Sequence, residues 1–215
     1  MKRILFVLVI FTVFCAMSSF AEDKAEYEKE KMPPAKLEKQ KLVKALQDGG
    51  YIIYFRHHIT DDKKVDEDRT NLKDCSTQRN LTAEGKKGSI EIGRAFRKLK
   101  IKVSSVISSP YCRCRDTAVL AFGATELDDD LQFAIYDGPE ERRRKGQALR
   151  KLLSQKPKEK TNSVIVSHTA NLKEAANIWP KPEGVAIIFE PNGNGQFEFV
   201  GIVLPDEWKK YLKPK

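Results

Sequence analysis

Residues 51–58 read Tyr51-Ile52-Ile53-Tyr54-Phe55-Arg56-His57-His58 and follow directly on Gly49-Gly50. An unbroken apolar and aromatic run, rich in β-branched side chains, predicts a strand buried on both faces, as in a parallel sheet covered by helices. The run stops abruptly at a guanidinium and two imidazoles. In open α/β sheets ligands sit beyond the carboxyl ends of the strands, so Arg56 and His57 fall where chemistry is usually done. Two more apolar runs repeat the pattern. Residues 103–107 lead into Ser108-Ser109-Pro110-Tyr111-Cys112-Arg113, and residues 163–166 lead into Ser167-His168. All three histidines of the chain stand at such strand ends.

Outward from these strands, the periodicity fills in the helices. Residues 35–47 are expected to be helical, with Leu37, Val43 and Leu46 inward and Gly49-Gly50 as the stop. Residues 82–99 form a second helix with Thr82 as its N-cap and Ile90, Ile92, Ala95, Phe96 and Leu99 as its apolar face. Helices are also expected over 111–122, over 140–155 with Leu149, Leu152 and Leu153 inward, from Asn171 onward, and over 206–212. Residues 185–189 and 197–204 flank Asn192-Gly193-Asn194-Gly195, a hairpin signal. This alternation predicts an α/β fold: a three-layer α/β/α sandwich with a mostly parallel central sheet and an antiparallel edge. Residues 59–79 and 124–138 are polar and aperiodic. A loop as long as the first is usually functional or mobile. It follows a strand end, so it could form one wall of a pocket.

The chain has 215 residues, enough for one domain with a substantial core, expected over 35–215. Residues 1–21 carry Lys2-Arg3, an apolar run over 4–14 that is too short to span a bilayer, and Ser19-Phe20-Ala21 as a cleavage site. That pattern is a secretory signal peptide, and the mature protein is expected to be periplasmic or secreted, without stable membrane insertion. Residues 22–34 read as a mobile charged arm. Removing Lys2 and Arg3, with no acidic residue, takes the formal charge from +9 to +7. Basic and acidic residues are interleaved: Arg142-Arg143-Arg144-Lys145 follows Glu140-Glu141, a solvated helix face. Nucleic acid is not the expected partner, and attraction of an anionic small molecule is the more natural use of the charge. Cleavage leaves Cys75, Cys112 and Cys114. In an oxidising compartment one disulfide and one thiol are expected. A bridge between Cys112 and Cys114 would be strained, so Cys75 pairs with one of them, Cys112 being preferred. Three cysteines without a second close pair do not read as a zinc site.

Two arginines and two histidines on one rim make a phosphate site. Guanidinium forks match phosphate oxygens, a histidine can attack phosphorus, and a second can stabilise the transferring charge. The arginines supply the positive field, so neither metal nor cofactor is expected. There is no G-x-x-x-x-G-K loop and no G-x-S-x-G elbow.

Arg56-His57 after an apolar strand, S-S-P-Y-C-R-C-R-D-T-A at 108–118 and V-I-V-S-H-T-A-N-L at 164–172 resemble the histidine phosphatase superfamily, the phosphoglycerate mutase-like group. The resemblance implies a nucleophile at His57, phosphate-binding arginines at Arg56 and Arg113, and a second pocket histidine at His168. Thr60 stands where such proteins often carry a serine or threonine near the phosphate, and Arg79 is a further pocket candidate. The export signal, Asp74-Cys75, Gln78-Arg79-Asn80-Leu81 and the strand after Glu183-Gly184 resemble the exported bacterial branch, which includes phosphatases of lipopolysaccharide core heptose phosphate. The implied activity is hydrolysis of phosphate monoesters, sugar phosphates among them, through a phosphohistidine. Two positions depart from the pattern. The usual R-H-G reads R-H-H, and His58 either narrows the pocket, adds a contact or lies exposed. The usual acid also has no clear match. An alkoxide leaving group needs a proton donor, and the candidates are Asp61, Asp137, Glu140, Glu141 and Glu183. Glu183 is preferred because it precedes a strand that could reach the rim. A phosphate- or phosphosugar-binding module without turnover is the second reading. Export argues against a mutase of cytoplasmic metabolites. Oligomeric state is left open.

Overall fold

Strand β1 (Ile52–Arg56) occupies an inner position of a six-stranded sheet in the order β3-β2-β4-β1-β5-β6, formed with β2 (Val103–Ser108), β3 (Glu126–Leu127), β4 (Asn162–Ser167), β5 (Ala186–Gly193) and β6 (Gln196–Val203). The structure is a computed structural model and describes residues 33–212. The expected signal peptide, and the charged arm apart from Pro33 and Pro34, lie outside the described residues. β1 pairs in parallel with β4, β4 with β2, and β2 with β3. β5 runs antiparallel to β1, and β6 antiparallel to β5. The mostly parallel sheet with an antiparallel edge is therefore as expected.

Both faces of β1 are buried because both are covered. Ile53 and Phe55 enter a core cluster with Leu42 and Leu46 of α1 (Lys39–Asp48), Ile92 and Phe96 of α2 (Ala83–Lys98), Ala118 of α3 (Cys112–Phe122) and Trp208 of α6 (Glu207–Lys210). The Phe55 ring meets Phe96, Phe122 and Trp208 at centroid separations of 6.1, 5.9 and 6.3 Å. α4 (Pro139–Leu153) and α5 (Thr169–Ala176) pack against each other, and complete the α/β/α sandwich. Thr82 caps α2 by accepting the Gly85 N–H. No helix among the described residues is long and apolar enough to cross a membrane.

Several boundaries differ from the sequence expectation. α1 starts at Lys39 because the N–H groups of Lys36 and Leu37 both donate to the Val200 carbonyl. That ties residues 36–37 to β6 instead of the helix, and the inward face becomes Leu42, Val43 and Leu46. β3 lies inside a stretch read as irregular; two exposed residues carry no alternation to read. β2 is half-buried along most of its length, because β3 covers only Ile107 and Ser108 of it. Ile90 and Leu152 are likewise half-buried. α5 follows β4 with a single residue, His168, between them, instead of starting at Asn171.

The topology decides what meets what. β2, β4 and β1 are adjacent and parallel, so their carboxyl ends share one edge, with Arg56 opposite Ser167 and Ser108 opposite Val166. β5 is antiparallel and enters the sheet at that same edge, with Ala186 opposite Phe55. The residues just before β5 are thereby delivered to the tips of the parallel strands.

Candidate active site

His57 is the first residue past β1 and is buried, 3% exposed. Its backbone is held on both sides: its N–H donates to the Ser167 carbonyl and its carbonyl accepts the Gly184 N–H. Nδ1 lies 3.0 Å from the His58 carbonyl oxygen. A carbonyl only accepts, so Nδ1 carries the proton and Nε2 keeps its lone pair. Burial, and then the Arg113 charge, push the His57 pKa well below the ordinary value of 6.5. The ring is neutral at physiological pH, with its free nitrogen fixed by the backbone.

His168 follows β4 directly, fully buried, and its ring centroid is 5.5 Å from that of His57 in an edge-to-face arrangement. Phe133 stacks on it at 4.8 Å and Tyr111 meets it edge-on at 5.1 Å. Its Nε2 is 2.9 Å from Ser109 Oγ, and the Tyr54 hydroxyl donates to its carbonyl at 2.5 Å. Burial, then Arg113, then His57 hold its pKa well below 6.5. The same burial pushes the free thiol of Cys114, 3.5 Å from His168 Nε2, up to about 12.

Arg113 lies in the first turn of α3 and is 1% exposed. Its guanidinium sits 4.5 Å from the Tyr111 ring centroid and donates to Asp66 Oδ1 at 2.8 Å. Asp66 comes from the long loop after β1 and also accepts the Arg79 N–H. That loop is fastened to the start of α3 at two further points. Cys75 and Cys112 form a disulfide with a Cα separation of 5.8 Å, and buried Gln78 accepts the Cys112 N–H through its side-chain oxygen. The expected pairing of Cys75 with Cys112 is the observed one. Arg56 and Arg113 each keep a buried Nε–H without a protein partner.

Glu183, just before β5, reaches this edge. One carboxylate oxygen accepts from Arg56 at 3.1 Å and from the Thr60 hydroxyl at 2.9 Å, and lies 3.5 Å from Arg79. The other accepts the Thr60 N–H at 3.0 Å. The first oxygen is 3.9 Å from His57 Nδ1. The structure thus gathers Arg56, His57, Thr60, Arg79, Arg113, His168 and Glu183 at one sheet edge. The other candidate acids are occupied elsewhere. Asp137 binds Lys145 at 2.7 Å, Glu141 binds Arg144, Glu140 is exposed, and Asp61 accepts the Lys63 N–H within its own turn.

His58 is neither exposed nor a pocket group. It is 4% exposed, its Nδ1 accepts the Ile59 N–H at 2.8 Å, and its own N–H donates to Thr117 Oγ1. The ring fills a slot between Gly88 of α2 and Gly184; a Cβ on Gly88 would come within 2.1 Å of His58 Nε2. What position 58 gives the site is its carbonyl, which fixes the His57 tautomer. Sequence reasoning missed Asp66. The only local hint was its place in a loop following a strand end.

The fold is shared with solved phosphatases. It is an α/β fold that matches phosphoglycerate mutase-like structures. A protein of Escherichia coli K-12 proposed to be an alpha-ribazole-5'-P phosphatase superposes with a TM-score of 0.54 at 12% identity, over 73% of this chain and 98% of that one. Phosphoserine phosphatase of Entamoeba histolytica, in complex with phosphoserine, gives 0.52 at 14% identity over 72% and 97%. A mycobacterial glucosyl-3-phosphoglycerate phosphatase, in complex with VO3, gives 0.50 at 13% over 70% and 97%. At these identities the likeness is one of fold. No family model and no curated sequence matches the chain. Among the described residues, no group of three or more His, Cys, Asp or Glu side chains is placed to hold a metal ion.

Proposed function

We propose that this protein is an exported phosphomonoesterase working through a phosphohistidine on His57. The observation that carries the reading is a neutral, buried histidine whose Nδ1 proton is committed to a backbone carbonyl, set among three arginines and a second histidine. In the first step Nε2 forms a bond to phosphorus while the ester P–O bond breaks. The electron pair goes to the leaving oxygen, which takes a proton from Glu183. In the second step water attacks phosphorus, its proton passes to Glu183, and the N–P bond electrons return to Nε2. Arg56, Arg113 and His168 bind the equatorial oxygens, with Thr60 and Arg79 beside them. The spare N–H groups of Arg56 and Arg113 suit a further anionic oxygen.

Sugar phosphates are the proposed substrate class. Tyr136 and Trp179 are exposed aromatics. Tyr136 packs on Phe133, the ring stacked on His168. Trp179 precedes Pro180, whose carbonyl lies 3.5 Å from Arg56. Their flat apolar faces could pack against a sugar ring. Export to the periplasm or beyond, in the branch that includes lipopolysaccharide core heptose phosphate phosphatases, is supported by the leader-like residues 1–21. The Cys75–Cys112 disulfide, a bond suited to an oxidising compartment, also supports it.

The test is turnover of p-nitrophenyl phosphate and a panel of sugar phosphates from about pH 4 to 8, with rapid-quench detection of phosphohistidine. His57→Ala should lose at least about 10³-fold in turnover with the fold intact. Phosphate binding with no turnover and no phosphohistidine would instead identify a binding module of the same fold.

A further inference from the structure

Glu183 poses a question that the phosphatase reading alone leaves unanswered. Its carboxylate accepts hydrogen bonds from Arg56 and from the Thr60 N–H and hydroxyl, and it sits within 3.5 Å of Arg79. Every one of these partners is a donor, and together they are the groups an incoming phosphate would use. The side chain is 19% exposed, and Arg56 and Arg79 are 16% and 27% exposed, so the carboxylate stands between solvent and the buried histidines. It occupies the anion clamp as an oxyanion of the chain's own.

The charges around it decide what can join it. Arg113 is already balanced by Asp66 at 2.8 Å. His57 and His168 are neutral, their pKa values lowered by burial and by Arg113. His58, on the other side of the β1 tip, is also held below its ordinary value by burial, although Glu183 acts to raise it. Two uncompensated guanidiniums, Arg56 and Arg79, therefore face Glu183. A phosphomonoester dianion added to an ionised Glu183 would bring three negative charges against two positive ones in a poorly hydrated site, where like charges do not all persist. One proton shared between a ligand oxygen and the Glu183 carboxylate restores the balance, and turns a repulsive contact into a charge-assisted hydrogen bond.

We infer that Glu183 is a specificity-determining residue that admits an oxyanion only together with a proton. The inference rests on the proposed phosphatase reading, because it takes Arg56, Thr60 and Arg79 as the anion clamp. Its consequence is a discrimination between oxyanions: phosphate and its monoesters, whose second ionisation lies at about pH 6, can carry or accept that proton near neutrality. Sulfate and sulfate esters cannot, and they meet a bare carboxylate. The proton held at Glu183 in the complex is also the one that the leaving oxygen needs.

Calorimetric titration of the wild-type protein and Glu183→Gln with inorganic phosphate and with sulfate tests this. It is run at pH 8, where phosphate is mainly dianionic. In the wild type, phosphate, whose dianion brings one P–OH proton to share with Glu183, should bind, and sulfate, which brings none, at least about 100-fold more weakly, the order of effect of one unpaired buried charge. In Glu183→Gln the preference should vanish, and sulfate should bind within a few-fold of phosphate. Sulfate binding the wild type as well as phosphate does would overturn the inference and leave the phosphatase reading standing. If neither anion binds either protein, and Arg56→Ala is no different, the anion clamp itself is wrong and both readings fall. The wild-type measurements decide the matter even if the variant does not fold.

Discussion

Two carboxylates meet arginines at this sheet edge, and they do so in opposite ways. Asp66 and Arg113 are 3% and 1% exposed and face each other at 2.8 Å, far from solvent and fastened by a loop that a disulfide and Gln78 clamp to α3. Glu183 is shared among Arg56, Arg79 and Thr60 at longer distances and remains open to water. In the first pair the acid belongs to the arginine permanently: burying a guanidinium requires a partner, and Asp66 is that partner. In the second the acid stands where an incoming anion can meet it. The same chemical pairing thus serves once to build a pocket and once to occupy it, and exposure separates the two roles.

The contrast is broken most directly at Asp66. Asp66→Ala leaves the Arg113 charge buried and alone and should cost about 3–5 kcal/mol in denaturant unfolding. Replacing both partners by apolar residues, Asp66→Leu with Arg113→Met, should recover most of that loss while phosphate affinity stays absent. A cost under about 1 kcal/mol for Asp66→Ala would mean that Arg113 reaches water, and would put the two pairs in one class.

Next in size is the other buried polar group of the strand tip. His58→Gly restores the common motif but empties the slot against Gly88 and Gly184 and leaves the Ile59 N–H without its acceptor. It should cost about 2–4 kcal/mol, with turnover within a few-fold of the wild type, because the carbonyl that orients His57 remains. A large gain in turnover with little loss of stability would show that the imidazole obstructs the pocket after all.

The strand tips were legible because each apolar run ends in the residue that matters: Arg56 and His57, Ser109 and Arg113, Ser167 and His168 need only a parallel sheet to converge. Glu183 was within reach because an antiparallel strand must enter at the edge where parallel ones leave. Asp66 was not. Nothing local distinguishes it from Asp61, Asp62, Asp68 or Asp74, and only the path imposed by Cys75–Cys112 and Gln78 brings it to Arg113. The place of His58 was left open because strand alternation ends where the chain turns. The clue lay elsewhere, in Gly85 and Gly88 three residues apart on a helix, a sign of close approach. Edge strand β3 left no mark at all, being two residues long.

Titration gives a third, smaller handle on the same contrast. His57 and His168 have folded pKa values well below 6.5, so between those values and 6.5 the unfolded chain binds more protons than the folded one. Stability therefore rises with pH across that window, and falls as pH drops through 6.5. Each histidine should cost about 2 kcal/mol between pH 8 and pH 5. His168→Gln should flatten the profile by about that amount, also about 2 kcal/mol. A profile no flatter in the variant would mean that His168 takes up its proton while folded. Burial and the neighbouring Arg113 charge would then not be enough to keep it neutral.

The smallest effect is the most discriminating. Glu183→Gln keeps an oxygen for Thr60 and removes one charge from a site whose charged side chains are 16–27% exposed, against 1–3% for the Asp66–Arg113 pair. Partly exposed ion pairs contribute little, and unfolding stability should change by less than about 1 kcal/mol. Asp66→Asn, the same change of one atom in the buried pair, should cost several times more, because a charged hydrogen bond is lost where water cannot replace it. Equal costs for the two amides would make Glu183 part of the framework, as tightly committed to its arginines as Asp66 is to Arg113, and not free to share a proton with an arriving phosphate. The ratio of the two losses, read from one set of denaturation curves, therefore decides whether the outer acid is a fixture of the framework or a group free to work on a bound phosphate.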